Sequence, residues 1–212
     1  MAEFNEYITV EKQGCDEFVE KKSRFIGYCA PVKTADEAME FVKSVKKKHN
    51  DARHNCFAYS LCDGSVRYSD DGEPQGTAGQ PILEVLTRSG VTDCVVVVTR
   101  YFGGILLGTG GLSRAYTNGA KIGINAANPI AMTKVKCCEL TVDYSLYGSL
   151  GVINSKHGVI VENSDFTDSV TLNIMISPEK FDDFSGDIRE LSAGKVKIIE
   201  KGERFIKKTC QI

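Results

Sequence analysis

The chain has 212 residues, a formal net charge of −2 from 26 basic and 28 acidic groups, and 42% hydrophobic against 25% charged residues. This length suffices for two domains with separate cores, and the composition excludes a disordered or low-complexity chain. Residues 1–133 carry 15 basic against 16 acidic groups and the remainder 11 against 12, so neither half is a basic nucleic-acid module and any anion site is local.

The longest apolar runs, such as Cys94 to Val98, fall far short of the roughly 20 residues of a membrane span. The opening Met1-Ala2-Glu3-Phe4-Asn5-Glu6 has neither the basic start nor the apolar core of a signal peptide. A cytoplasmic protein is expected, with no membrane partner. The eight cysteines are scattered through strand-like runs with no Cys-x-x-Cys pair, which predicts reduced, small buried hydrophobes rather than disulfides or a zinc site.

In chain order, Tyr7 to Val10, Glu17 to Lys21 and Phe25 to Val32 read as a strand followed by a hairpin. Thr34, followed by Asp36 and Glu37, caps a helix with apolar residues at Ala38, Phe41, Val42 and Val45. Its Lys46-Lys47-Lys48 end suits the helix dipole. From His54 to Cys62 residues alternate, and the side bearing Phe57, Tyr59 and Leu61 is expected to face a core. Thr77 is placed as the cap of a helix reaching Leu86 or Thr87, and Cys94 to Tyr101 is a β-branched central strand. The next helix is expected to begin near Leu112 or Ser113 and end about Asn125, before Pro129.

The second half reads as strand Val135 to Tyr144, helix Tyr147 to Lys156 closed by His157 and Gly158, and strands Val159 to Asn163 and Ser169 to Ser177. A helix from Pro178 to about Leu191 and a strand Lys195 to Glu200 complete it. The order β-α-β-β-α-β is that of a ferredoxin-like sandwich. Domain boundaries of 1–131 and 132–212 follow, in an α+β fold class.

Two segments carry the candidate chemistry. The first, Arg67 to Gln80, crowds Asp70, Asp71, Gly72, Glu73 and Thr77 into one polar loop, suited to a cation or a partner, or simply to turns and a helix cap. The second, Thr99 to Tyr116, holds Arg100, Tyr101, Gly103, Gly104, Gly108, Gly110, Gly111 and Arg114. A glycine-rich turn offering backbone N–H groups at a helix start, flanked by Arg100 and Arg114 in the first helical turn, is an anion cradle. It lacks the Lys-Ser or Lys-Thr of a Walker loop, and close packing of loop on sheet is the alternative. His54 and Cys56 share a strand face, but no further ligands stand at metal spacing, and no metal or cofactor is expected. Both segments are expected to converge in one cleft, with Arg100 and Arg114 replaceable by alanine at no cost in stability.

These residues, Asp70-Asp71-Gly72-Glu73-Pro74, Gly76-Thr77-Ala78-Gly79, and Val96 through Gly104-Ile105 to Leu107-Gly108, together with Arg53 to Tyr59 and Gly110 to Tyr116, resemble the IMPACT family in its two-domain bacterial form. The resemblance implies a first domain with the fold of the second domain of ribosomal protein S5, a ferredoxin-like second domain, and a translation-linked role contacting the ribosome, RNA or a translation-control protein. Eukaryotic members carry an extra N-terminal domain that engages a kinase activator; no such extension is expected to act here, and no DNA partner is implied. No catalytic mechanism accompanies the resemblance. One alternative is a phosphate-handling, kinase-like enzyme using Gly108-Thr109-Gly110-Gly111-Leu112-Ser113 with Asp70 or Asp71 on magnesium; another is a protein-protein adaptor.

Overall fold

The computed structural model describes residues 5–208. Residues 7–131 and 132–208 form two compact units, with residues 5–6 grouped with the second. The first contains β1 (Glu6–Val10, from Tyr7 on), β2 (Gly14–Glu20), β3 (Ser23–Pro31), α1 (Ala35–Lys48), β4 (His54–Ser60), β5 (Val66–Ser69), α2 (Gly79–Ser89), β6 (Cys94–Tyr101) and α3 (Thr109–Ala126). Its five-stranded sheet runs β2-β3-β6-β4-β5, with every neighbouring pair antiparallel.

Helices cover both faces of this sheet. Val96 and Val98 of β6 pack with Ile82 and Leu86 of α2 and with Leu112, Tyr116 and Ala120 of α3. Val95 and Val97 pack with Ala38, Val42 and Val45 of α1. Double coverage is why β6 reads as a continuous apolar run. It also corrects the one-sided reading of β4: Phe57 and Tyr59 do face a core, but Cys56 and Ala58 face the other one.

Helix α1 begins as the sequence predicts, with the Thr34 hydroxyl accepting from the Glu37 N–H at 3.2 Å and the Glu37 carboxylate accepting from the Lys33 N–H at 2.6 Å. Its end carries a buried histidine, His49, in a directed chain. The Tyr101 hydroxyl donates to Asp51 at 2.8 Å, so it accepts from His49 Nδ1–H at 2.9 Å, and His49 Nε2 accepts from the Tyr28 hydroxyl at 2.7 Å. The ring is thus neutral. Burial first, then Lys48 and Arg24, lower its pKa below the usual 6.5 against the opposing pull of Asp51. The unfolded chain therefore binds a proton here before the folded one does, and stability falls as pH drops below about 6.5 toward the lowered value. Urea midpoints measured from neutral to mildly acid pH are expected to fall more steeply for the native chain than for His49→Gln; parallel curves would refute the assignment.

The second unit comprises β7 (Pro129–Val142, from Met132 on), α4 (Tyr144–His157), β8 (Ile160–Phe166), β9 (Val170–Ile176), α5 (Phe181–Leu191) after a 3₁₀ turn at Pro178–Lys180, and β10 (Ile198–Lys207). β10 pairs with β7, β7 with β9 and β9 with β8, all antiparallel. One face is buried: Cys138, Leu140 and Val142 alternate toward Leu172, Ile174, Leu150, Phe184 and Ile188. Antiparallel sheets and packed helices in both units make the protein α+β.

Several boundaries differ from the sequence reading. α3 starts at Thr109, three residues early, because Leu112 N–H already closes a turn on the Gly108 carbonyl at 2.9 Å. α4 starts at Tyr144 and stops, as read, at Gly158, whose φ of 66° is left-handed. β8 extends to Phe166 and the last strand lies at Ile198–Lys207, because its register runs the length of β7. Cys15 and Cys62 are exposed rather than buried, and Cys210 lies outside the described residues. Among the described residues no helix is long and apolar enough to cross a membrane.

Candidate functional site

The segment after β5 is built around one carboxylate. Asp70 Oδ1 accepts from the N–H groups of Ala78 and Gly79 at 3.0 and 2.8 Å, and Oδ2 from Gly76 N–H at 2.9 Å. Asp70 is therefore the N-terminal cap of α2, the role assigned above to Thr77. The Thr77 hydroxyl instead donates to the Pro74 carbonyl at 2.6 Å, and Thr77 is buried. Asp71 and Gly72 take positive φ, 42° and 86°, in a tight turn closed by Glu73 N–H on the Asp70 carbonyl at 2.9 Å. Asp71 then accepts from Asn55 N–H at 2.8 Å and pairs with Lys46 at 2.6 Å.

That turn directs Glu73 inward onto Arg100. Their side chains are 4% and 6% exposed and meet at 2.7 Å, and Glu73 also accepts from the Tyr116 hydroxyl at 2.8 Å. The guanidinium lies 5.6 and 5.4 Å from the ring centres of Phe25 and Phe102. Arg100 Nε has no partner. The expectation that Arg100 is a free, dispensable anion ligand is thus corrected: its charge is buried and neutralised within the protein, and alanine there cannot be neutral to stability. The pair does join the two glycine-rich segments: Glu73 meets Arg100 on the face that carries His54, the register partner of Arg100, whereas the Asp71 carboxylate reaches Lys46 of α1, the helix on the other face.

The two segments enclose a cavity of about 400 Å³ lined by Arg53, His54, Glu73, Pro74, Arg100, Phe102, Leu106, Leu107, Gly108, Thr109 and Leu112. His54 Nδ1 is 3.0 Å from the Asp71 carbonyl, so Nδ1 carries the proton. Cys56 donates its thiol to the Asp70 carbonyl, and burial pushes that thiol well above its ordinary range, which removes it as a nucleophile at neutral pH. α3 enters this cavity uncapped: Gly108 precedes it at φ 74°, no side chain caps it, and its first turn has no acidic residue. Phe102 and Leu106 are 50% and 82% exposed. Gly103 is required by packing, since a Cβ there would stand 2.0 Å from the Lys22 carbonyl group.

Of the candidate residues, His54, Glu73, Arg100 and Gly108 line the cleft. Asp70, Asp71 and Thr77 hold the loop, and a Cβ at Gly72 would stand 3.5 Å from the His54 ring. Tyr101 points to the opposite face, toward His49. Gly104 takes φ 85°, Gly111 and Arg114 line a neighbouring cavity, and Gly110 faces Arg114. Arg114 is in the second turn of α3 rather than the first, so the dipole argument for it lapses. Arg53, Phe102, Leu106 and Thr109 also line the cleft, though the sequence reading does not count them among the ligand-binding residues. The apolar Ile105-Leu106-Leu107 between glycines was the available signal, because a solvated loop has no use for it.

Residues 21–124 match the Impact N-terminal domain, and residues 140–195 match DUF1949, described as a domain of unknown function. The chain is 36% identical over 212 residues to the IMPACT family member YvyE of Bacillus subtilis, covering 96% of this chain and 98% of that one. It is 39% identical over 184 residues to the IMPACT family member YigZ of Escherichia coli, covering 84% and 90%. To the Protein IMPACT of Rattus norvegicus it is 33% identical over 94 residues, 42% of this chain and 30% of that protein. A crystal structure titled as that of a hypothetical protein superposes with a TM-score of 0.60 at 32% identity, covering 92% and 97%.

Proposed function

The chain belongs to the IMPACT family, and on that footing we propose that it is a cytoplasmic, translation-linked binding protein whose first unit grips RNA, on or off the ribosome, through the cleft between its two glycine-rich segments. The observation that carries this reading is the uncapped start of α3 opening into a cleft that also presents Arg53, His54 and the exposed Phe102 and Leu106. Free N–H groups at a helix start and an arginine receive phosphate, and an apolar or aromatic ledge receives a base. The assignment extends to an S5 domain 2-like fold for residues 1–131. For residues 132–212 the strand order β10-β7-β9-β8 with two crossing helices supports a ferredoxin-like fold.

The kinase-like alternative draws no support from the two aspartates. Asp70 accepts from three backbone N–H groups and Asp71 is engaged by Lys46 and the Asn55 N–H, so both carboxylates already serve the loop. A protein ligand in the same cleft would draw on the apolar ledge and would need a carboxylate to use the free helix start.

Arg53→Glu and Leu106→Asp, both changes at the rim of the cleft, are expected to leave the urea midpoint unchanged and to weaken binding to labelled single-stranded RNA by about tenfold or more. Co-sedimentation with ribosomal subunits across a salt series gives the same test at scale. Unchanged RNA affinity in both variants would sink the reading.

A further inference from the structure

The β2–β3 connection is a two-residue turn, Lys21-Lys22, closed by the Glu20–Ser23 pair. Both lysines take positive φ, 45° and 63°. Turns of this kind favour Asn-Gly, because an L side chain is strained in that region. The Lys22 carbonyl group packs against Gly103, so the turn is held on the second glycine-rich segment.

Beside it lies a second cavity, about 290 Å³, where Lys21 of the turn meets Arg114 and Asn118 of α3, with Glu20 at its rim. Lys21, Lys22 and Arg114 are exposed and make no ion pair among the described residues. Lys21 and Arg114 thus line the cavity with the single carboxylate of Glu20, and Lys22 adjoins them in the turn. Leu107 lines this cavity and the cleft alike, so the two share an aliphatic wall. The anion-receptive groups thus fall in two places divided by an apolar wall, an arrangement that suits a polymer of phosphates crossing the wall better than one small anion.

We infer that Lys21, Lys22 and Arg114 form a second phosphate-contact site for the RNA strand whose neighbouring nucleotides occupy the cleft; this rests on the RNA reading of that cleft. The lysines sit in a turn that other residues would fill with less strain, and their two charges are what the strain retains.

The diagnostic variant is Lys21→Asn with Lys22→Gly, which installs the favoured turn dipeptide and removes both charges. It is expected to raise the urea midpoint while lowering affinity for labelled single-stranded RNA by about tenfold and reducing the salt slope by about 1 to 1.5. Arg114→Gln is expected to lower affinity with the midpoint unchanged. Higher stability with affinity and slope unchanged would make the lysines turn residues only and overturn the inference. Arg53→Glu, measured in parallel, separates the two sites. Weakening by Arg53→Glu alone leaves the cleft and removes the hairpin, weakening by the turn variant alone does the reverse, and a native chain that binds no RNA refutes both. Binding to vesicles of anionic lipid in place of RNA would overturn the identity of the occupant.

Discussion

Replacing Glu73 by Ala is expected to destabilise the first unit by about 3–5 kcal/mol, because it strands the buried Arg100 guanidinium without a counter-charge. Nothing nearby compensates. Arg100 Nε is already unpartnered, the Ser23 hydroxyl lies at 3.5 Å, and the rings of Phe25 and Phe102 stand over the guanidinium. The Tyr116 hydroxyl loses its acceptor at the same time. Glu73→Gln keeps the shape and a hydrogen-bond acceptor but not the charge, so its loss is expected to be smaller yet still clearly measurable. Urea unfolding of the pair, together with a Glu73→Ala/Arg100→Met double variant, provides the check. The double variant removes both charges and is expected to recover much of the loss; if Glu73→Ala alone left the midpoint within about 0.5 kcal/mol of native, the buried pair would have no structural weight.

Gly27→Ala is expected to be at least as damaging, for a steric rather than an electrostatic reason. A Cβ at Gly27 would stand 1.9 Å from the Gly119 carbonyl oxygen and 3.2 Å from Gly123 N, both in the backbone of α3. Flexible side chains can move aside, but a helix backbone packed on a sheet cannot without shifting as a whole. The cost is expected to reach or exceed the usual 1–3 kcal/mol of overpacking. Because α3 also brings Thr109 and Gly108 to the cleft, the same displacement is expected to lower ligand affinity in whatever fraction still folds. Gly148→Ala in α4 is the contrast. A Cβ there meets nothing within 4 Å, and the change should stabilise by about 0.5–1 kcal/mol through helix propensity. Calorimetry or urea unfolding of both variants decides the point: a Gly27→Ala protein as stable as the native one would show that α3 is not pinned to β3 as described.

What was legible in the sequence is what depends on neighbouring residues. The Thr34 cap, the Gly158 stop and the β-branched run of the central strand each announce themselves within a few positions. The start of α3 was obscured because glycine, at Gly110 and Gly111, has poor helix propensity and reads as loop. The two segments that line the cleft are legible, but the hydrogen bonds within them are not. Arg100 reads as an anion ligand because it stands beside a glycine-rich turn, and the carboxylate that pairs with it, Glu73, lies 27 residues away. Thr77 looked like a cap because it stands just ahead of α2. No local pattern says that Asp70 reaches the helix first.

That substitution has a consequence for the order in which the chain folds. Helix α2 lacks a start signal of its own, and its first amides find their acceptor on Asp70, as many as nine residues upstream and just past the end of β5. An isolated peptide spanning α2 would fray at that end, since helix nucleation is unfavourable without such a fixed point. The first turn of α2 therefore becomes secure only once the chain from Asp70 to Gly79 has closed on itself. Closure of the polar loop and initiation of the helix are thus coupled, so the turn that carries Glu73 is complete by the time this helix docks on the sheet.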